Sequence, residues 1–297
     1  MKKITVRQDK TPSLKAWLIL GLLGIVWGSS YILIKKGLVA YNPVQLACLR
    51  ISISSIAFLP FFLAKQKTVD WSKWKYLAIV GIMGSGIPPF MFAFAQTEIS
   101  SSVAGVLSSL TPLFTLLLGI LFFKSKLIWS KVIGVLVGLM GAVFLILFGN
   151  SAGIEGNLWY GLLIVLGAIC YAISVNTIEK ELHSMDALIV SATTFIIVGV
   201  PATIILFFTG FFEVLQTHPQ AWSSLGYIVI LSIIGTVIAT ILFFGMVQMT
   251  NAVFSSTVSY IVPIVAIFWG AADGETITVF HLLGMILILA GVYLSRK

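Results

Sequence analysis

Charge is scarce in this chain. Of 297 residues, 18 are Lys or Arg and 10 are Asp or Glu, only 9% together. A water-facing domain carries about a quarter charged residues, so this chain cannot cover a solvated surface. Cysteine is nearly absent. Cys48 and Cys170 both sit inside apolar runs, which excludes a disulfide framework and a thiolate metal site. The three histidines, His183, His218 and His281, are far apart, and none joins a carboxylate at a metal or acyl-transfer spacing. A net charge of +8 has the sign of a nucleic-acid binder, but the basic residues flank apolar blocks, where membrane topology places them. Neither a nucleic-acid partner, a metal nor a cofactor is expected.

What the chain has in quantity is apolar residues, 59% of the total, at a mean hydropathy of +1.09. They fall into ten blocks, read as spans at 16–34, 44–64, 76–95, 102–123, 132–148, 158–177, 187–209, 225–247, 252–270 and 281–294. Most reach the ~20 residues that cross a bilayer as a helix. In hydrocarbon every backbone amide must bond within its own segment, so such blocks are helices. A barrel needs short alternating segments, and runs such as 136–148 do not alternate. The first block is too long for a signal-peptide core and is kept as a membrane helix. The lipid bilayer is thus one expected partner.

Placing the N-terminus in the cytoplasm puts fifteen Lys or Arg in inner segments and two, Lys35 and Lys36, in outer ones. That asymmetry predicts a multi-pass inner-membrane protein with both termini cytoplasmic. Trp17, Trp71, Trp74, Trp129, Trp159 and Trp222 stand near span ends, as interfacial anchors do.

The chain also repeats itself. Tyr76, Gly84, Phe92, Pro112 and Gly119 fall on Tyr227, Gly235, Phe243, Pro263 and Gly270 at an offset of 151; after a one-residue gap, Gly134 and Gly141 fall on Gly284 and Gly291. Upstream, Trp27 and Lys36 meet Tyr171 and Lys180 at an offset of 144. Five spans per half force the second copy to enter from the opposite face. The expectation is an all-α integral membrane protein with ten transmembrane helices as two inverted five-helix repeats around a midplane site. Its parts are a cytoplasmic tail at 1–15, a first repeat at 16–148, an outer connection at 149–157 and a second repeat at 158–297.

Trp27-Gly28-Ser29-Ser30-Tyr31, Lys35, Arg50 and Pro60 open the first half. Ser108-Ser109-Leu110-Thr111-Pro112 before Gly134 and Gly141 closes it, and Tyr260-Ile261-Val262-Pro263, Gly274-Glu275, Gly284 and Gly291 close the second. Over essentially the whole chain after residue 15, this resembles the EamA-type transporters of the drug/metabolite transporter superfamily. The resemblance implies a ten-helix carrier of small metabolites or drugs, frequently directed outward. One departure is Lys124 and Lys126, where the family often has Gly-Glu, so an inner-end acidic contact is expected to be missing.

Ionisable groups within spans are costly, roughly 2.5–3.5 kcal/mol on insertion scales, which singles out Arg50. It is expected near the outer face, either in an ion pair with Glu98 or on carbonyls as a structural element, or else facing an anionic solute group. Lys35 joins this structural or gating set. No Asp or Glu lies at mid-span, so proton coupling is expected to be weak or absent. The expected substrate cavity is uncharged. It draws on Trp27, Ser30 and Tyr31 in span one, Ser108, Ser109 and Thr111 in span four, and Tyr171, Ser174 and Asn176 in span six. Thr236 and Thr240 in span eight and Ser256, Ser259 and Tyr260 in span nine complete the polar lining. Any one of these hydroxyls more often bonds to its own helix; together they suit a cavity for an amphipathic solute. Pro88 and Pro89 in span three are expected to kink it beside the cavity, Pro112 and Pro263 to act as hinges, and Pro201 to break span seven.

The expected function is a secondary transporter that moves a small organic metabolite or drug-like solute by alternating access, outward, with amino acids or analogues first. Nucleotide-linked sugars come a distant second, and phosphates are disfavoured because no basic cluster faces the centre. The alternative is an integral-membrane enzyme acting on lipid-linked substrates, which needs convergent acid, base or metal ligands that the chain does not show. A channel is weaker still, because no charged ring or filter loop appears.

Overall fold

The computed structural model of the chain describes residues 12–123, 129–148 and 154–296. The tail through residue 11, Lys124, Lys126 and the connection at 149–153 lie outside the described residues. Every regular element among those described is helical. In chain order these are α1 (Leu14–Gly37), α2 (Pro43–Lys65), α3 (Trp74–Gly81), α4 (Ile87–Ala95), α5 (Ser101–Ser108), α6 (Thr111–Phe123), α7 (Trp129–Phe148) and α8 (Ile154–Glu181). Then follow α9 (Ala187–Phe207), α10 (Phe211–Thr217), α11 (Ala221–Ser232), α12 (Ala239–Met249), α13 (Ala252–Ser256), α14 (Val262–Ala272) and α15 (Val279–Arg296). Short 3-10 and π segments join several of them into longer rods.

Eight helical stretches among the described residues are long and apolar enough to cross a bilayer, at the positions of expected spans one to four and six to nine. Helices α7 and α15 stand at the positions of the fifth and tenth. Large apolar side chains such as Leu18, Ile25, Phe122, Val200, Ile204 and Phe207 are more than half exposed on the outside of the bundle. An apolar surface of that extent is unstable in water and natural in lipid.

Local sequence explains where the rods begin. The Ser13 side chain accepts from the Ala16 amide at the start of α1. Asn42 and Gln45 form a reciprocal capping box ahead of α2, with Pro43 at its first position; this satisfies amides that no preceding turn can reach. The Asp186 and Asn251 side chains accept from first-turn amides of α9 and α13.

Glycine sets the closest approaches. A Cβ on Gly291 would meet the backbone of Gly134 and Gly138, so α15 lies directly against α7. A Cβ on Gly199 would meet the Ser55 side chain, which is where α9 crosses α2. Small residues at crossing points let van der Waals packing hold helices together in lipid.

Pro201 does not break its helix, contrary to expectation: α9 is continuous across it. A proline removes one bond from the ladder, and the packing of α9 along α2 outweighs that single loss. The rods that do change pitch lie elsewhere. A π-helical segment, Ile82–Gly86, joins α3 to α4, and another, Ile233–Ile238, joins α11 to α12. A turn at Ser109 and Leu110 divides α5 from α6, and a 3-10 turn, Thr257–Tyr260, divides α13 from α14.

Candidate substrate cavity

The four irregular joints converge on one cavity of about 130 Å³. Three of the four joints have a local cause in proline. Pro112 has no N–H for the carbonyl of Ser108, four residues back, and the Thr111 hydroxyl donates to that carbonyl instead, at 2.8 Å. Pro263 leaves the carbonyl of Ser259 without its helical donor, and Pro88 and Pro89 do the same to Gly84 and Ser85. Ser108, Ser259, Gly84 and Ser85 all line the cavity. Backbone polarity freed by proline is tolerated at membrane depth where it faces such a space.

Among the residues nominated from sequence, Trp27, Ser30, Tyr31, Pro89, Ser108, Thr111, Tyr171, Ser174, Thr236, Thr240, Ser256 and Ser259 line this cavity. Ser109, Asn176, Tyr260 and Pro88 do not. Ser109 is fully buried and donates to the carbonyl of Val106. The Asn176 amide ties α8 to α6, donating to the carbonyls of Thr115 and Ala172 at 3.0 and 2.8 Å. Pro88 is buried at the start of α4, and Tyr260 is half-buried at the end of its 3-10 turn. Several lining hydroxyls donate to carbonyls of their own segment, as Ser30 does to Val26, Ser108 to Gly105 and Ser256 to Val253. Their lone pairs remain as acceptors.

The lining follows the two sequence offsets closely. At 144, Trp27 and Tyr171, Ser30 and Ser174, Tyr31 and Val175, and Ile51 and Phe195 all line it. At 151, so do Gly84 and Gly235, Ser85 and Thr236, Pro89 and Thr240, Phe92 and Phe243, Ser108 and Ser259, and Thr111 and Val262. Contacts are paired too. Trp27 meets Phe243 edge-on at 4.9 Å between ring centroids, and Tyr171 meets Phe92 at 5.8 Å. Gly235 leaves room for the Ser30 hydroxyl, and Gly84 for that of Ser174. The Trp27 indole donates to the carbonyl of Gly235 at 3.1 Å, inside the second π segment. Sequence reasoning missed Ser85, Phe92, Phe195 and Phe243, among others. Subtracting 151 from Thr236 finds Ser85, and Phe92 and Phe243 were already matched in the repeat.

Two expectations need correction. The cavity is not uncharged, because Arg50 lines it. Nor does Arg50 form an ion pair with Glu98: its Nε donates to the Thr236 hydroxyl at 2.9 Å. Glu98 sits exposed in the turn after α4, whereas the Arg50 side chain turns into the bundle.

Lys35 takes part in a polar cluster at one end of the bundle. Its ammonium lies 2.8 Å from Asp273 and 3.0 Å from Glu275, and Lys36 also pairs with Asp273. The Glu275 carboxylate further accepts from the amides of Ser101 and Ser102 and the Ser102 hydroxyl, at 3.0, 3.1 and 2.7 Å. It therefore caps α5 while holding the end of α1. Lys35 and Lys36 hold the Asp273 carboxyl below the usual carboxylate range. Burial pushes the Glu275 carboxyl up, but the bonds from Ser102, Lys35 and Ser101 outweigh it, and the net direction is down. The opposite end carries a similar contact: the Glu179 carboxylate accepts from the Ala252 amide at 2.9 Å and caps α13. Pro112 and Pro263 stand at the first turns of α6 and α14, one at each divided rod.

The model of the EamA-like transporter family matches residues 14–147 and again 158–296. The chain belongs to the EamA-like transporter family. It is a multi-pass membrane transporter and not an enzyme. It is similar to the "Uncharacterized inner membrane transporter YedA" of Escherichia coli K12, 27% identical over 280 residues, 92% of this chain and 87% of that one. It is also similar to a "Probable terminal-alkyne amino-acid exporter" of Streptantibioticus cattleyicolor, 24% identical over 149 residues, 49% of each chain. A solved crystal structure shares the fold at a TM-score of 0.63 and 19% identity, covering 94% of this chain and 95% of that one.

Proposed function

We propose that this EamA-like transporter exports a small amphipathic metabolite, an amino acid or analogue, by alternating access across the inner membrane. The carrying observation is the paired lining: residues 144 or 151 apart both line a single cavity. That arrangement supports ten spans in two inverted repeats, 16–148 and 158–297, related by an axis through the site. Such symmetry gives a carrier two equivalent ways to close. The polar contacts at the two ends, Glu275 on α5 and Glu179 on α13, are the candidate latches. Each is broken in turn while the other holds.

The chemistry of the lining supports amino acids. Carbonyls without helical donors at Gly84, Ser85 and Ser259 suit an ammonium group, as unwound backbone does in other carriers. The rings of Trp27, Phe92, Tyr171 and Phe243 suit an apolar side chain. A cavity of about 130 Å³ is smaller than the ~300–1,000 Å³ of drug-sized sites, which counts against nucleotide-linked sugars. The relative named as an amino-acid exporter favours the same class and the outward direction. The positive-inside asymmetry supports cytoplasmic termini.

The test is counterflow in proteoliposomes: vesicles preloaded with unlabelled amino acids should accumulate the labelled ones. Absence of counterflow with every amino acid tested would end this reading.

A further inference from the structure

We infer that Arg50, oriented by Thr236, is the subsite for a carboxylate on the transported solute. The inference rests on the carrier reading of the same cavity and names the solute class: small monocarboxylates with an apolar or aromatic body.

The first ground is an unbalanced charge. Arg50 lines the cavity, and no Asp or Glu lines it with it. Among the described residues Arg50 joins no ion pair, and its one hydrogen bond uses Nε. A guanidinium stays charged at any working pH. Held in a low-dielectric bundle without a counter-ion, it carries a desolvation cost that an anion relieves. One unit of positive charge calls for one unit of negative charge. A phosphate ester brings a second charge that no other lining cation would meet.

The second ground is orientation. The Thr236 hydroxyl donates to the carbonyl of Leu231, five residues back, at 3.0 Å, and accepts from Arg50 Nε at 2.9 Å. The π-helical pitch of Ile233–Ile238 permits that five-residue reach. With its proton committed to Leu231, the hydroxyl holds the guanidinium by its side edge. The two terminal amino groups remain, and their fork matches the two oxygens of a carboxylate.

The third ground is asymmetry. Most of the lining is paired across the two halves, but the position 144 residues after Arg50 is Thr194, whose hydroxyl donates to Ser191 in its own helix. A scaffold role repeats with the scaffold. A charge present on one side only gives a solute without internal symmetry a single orientation.

The test uses purified full-length protein and wild type first. Binding is measured by thermal shift and equilibrium titration for L-phenylalanine, L-leucine and 3-phenylpropionate, against L-phenylalaninamide, L-leucinamide and phenethylamine. The acids should bind about 10- to 100-fold more tightly than the counterparts that lack a carboxylate, the range of a charge-assisted pair. Arg50→Gln should erase that preference, Arg50→Lys should restore part of it, and Thr236→Val should weaken it while leaving the charge in place. Equal affinity for acids and amides, no binding of any of the six, or an undiminished preference in a folded Arg50→Gln protein overturns the inference. The wild-type comparison stands even where a variant fails to fold. Counterflow separates the two readings. Acid binding without counterflow removes the carrier reading and leaves the subsite. Counterflow of acids and amides at equal rates in the wild type, with no acid preference in binding, does the reverse.

Discussion

Glu275 shows how one side chain can hold three helices. It accepts the ammonium of Lys35 at the end of α1 and the first amides of α5, from a loop that follows α14. Glu275→Gln keeps the shape, loses the charge, and should cost about 1.5–3 kcal/mol, the range for hydrogen bonds to charged groups. Asp273→Asn, closer to solvent, should cost under about 1 kcal/mol. The pH dependence follows from the direction of the shifts. Both carboxyls are depressed in the folded protein. Their contribution is therefore fully present above the unfolded carboxylate value near pH 4, and is lost as pH falls through the lower folded values. Thermal melts from pH 6 down to 3 should show the wild type losing more stability than Glu275→Gln. Parallel curves would mean that the latch carries no ionic stabilisation. Arg50 was recognised in the sequence because a charge inside an apolar block is costly; its partner was not, because direction of a side chain depends on the helix that faces it.

At the scale of elements, the divided rods carry the proposed hinges. Pro112 and Pro263 each begin a helical half beside the cavity, and each leaves a carbonyl for something other than a backbone amide. Pro112→Ala and Pro263→Ala should slow counterflow while leaving solute binding near wild type; unchanged rates in both would discard the hinge role. The crossing of α7 and α15 behaves differently, as packed scaffold. Gly291→Leu forces a side chain into the α7 backbone and should destabilise by about 1–3 kcal/mol or more. Gly21→Leu is the control, since a Cβ there meets nothing, and it should melt like the wild type. The proline positions were legible as breaks in spans three, four and nine. The π segment between α11 and α12 was not, because no proline marks it; only its register with the segment between α3 and α4 does.

At the scale of the molecule, the paired lining and the charge asymmetry of the connections support the proposed topology, with both termini cytoplasmic. Cysteines placed at residues 1 and 297 of a Cys48→Ser, Cys170→Ser background should both be labelled only from the cytoplasmic side. Labelling from opposite faces would require an odd number of crossings and remove the inverted repeat. Export then requires the cavity to lose its contacts at one end before those at the other, so variants at Glu275 and at Glu179 should bias accessibility of the cavity in opposite directions.

Sequence alone determined that this chain is helical and lives in lipid, because length and hydropathy of a block decide whether its backbone can be satisfied in hydrocarbon. It also carried the two offsets, which are a property of order along the chain. The tertiary structure decided which face of each helix meets the cavity. That excluded Ser109, Asn176, Pro88 and Tyr260 from its wall and brought Arg50 into it. The reason is physical: in a helix that is apolar nearly all round, periodicity no longer marks an inward face, and only the packing of its neighbours chooses one.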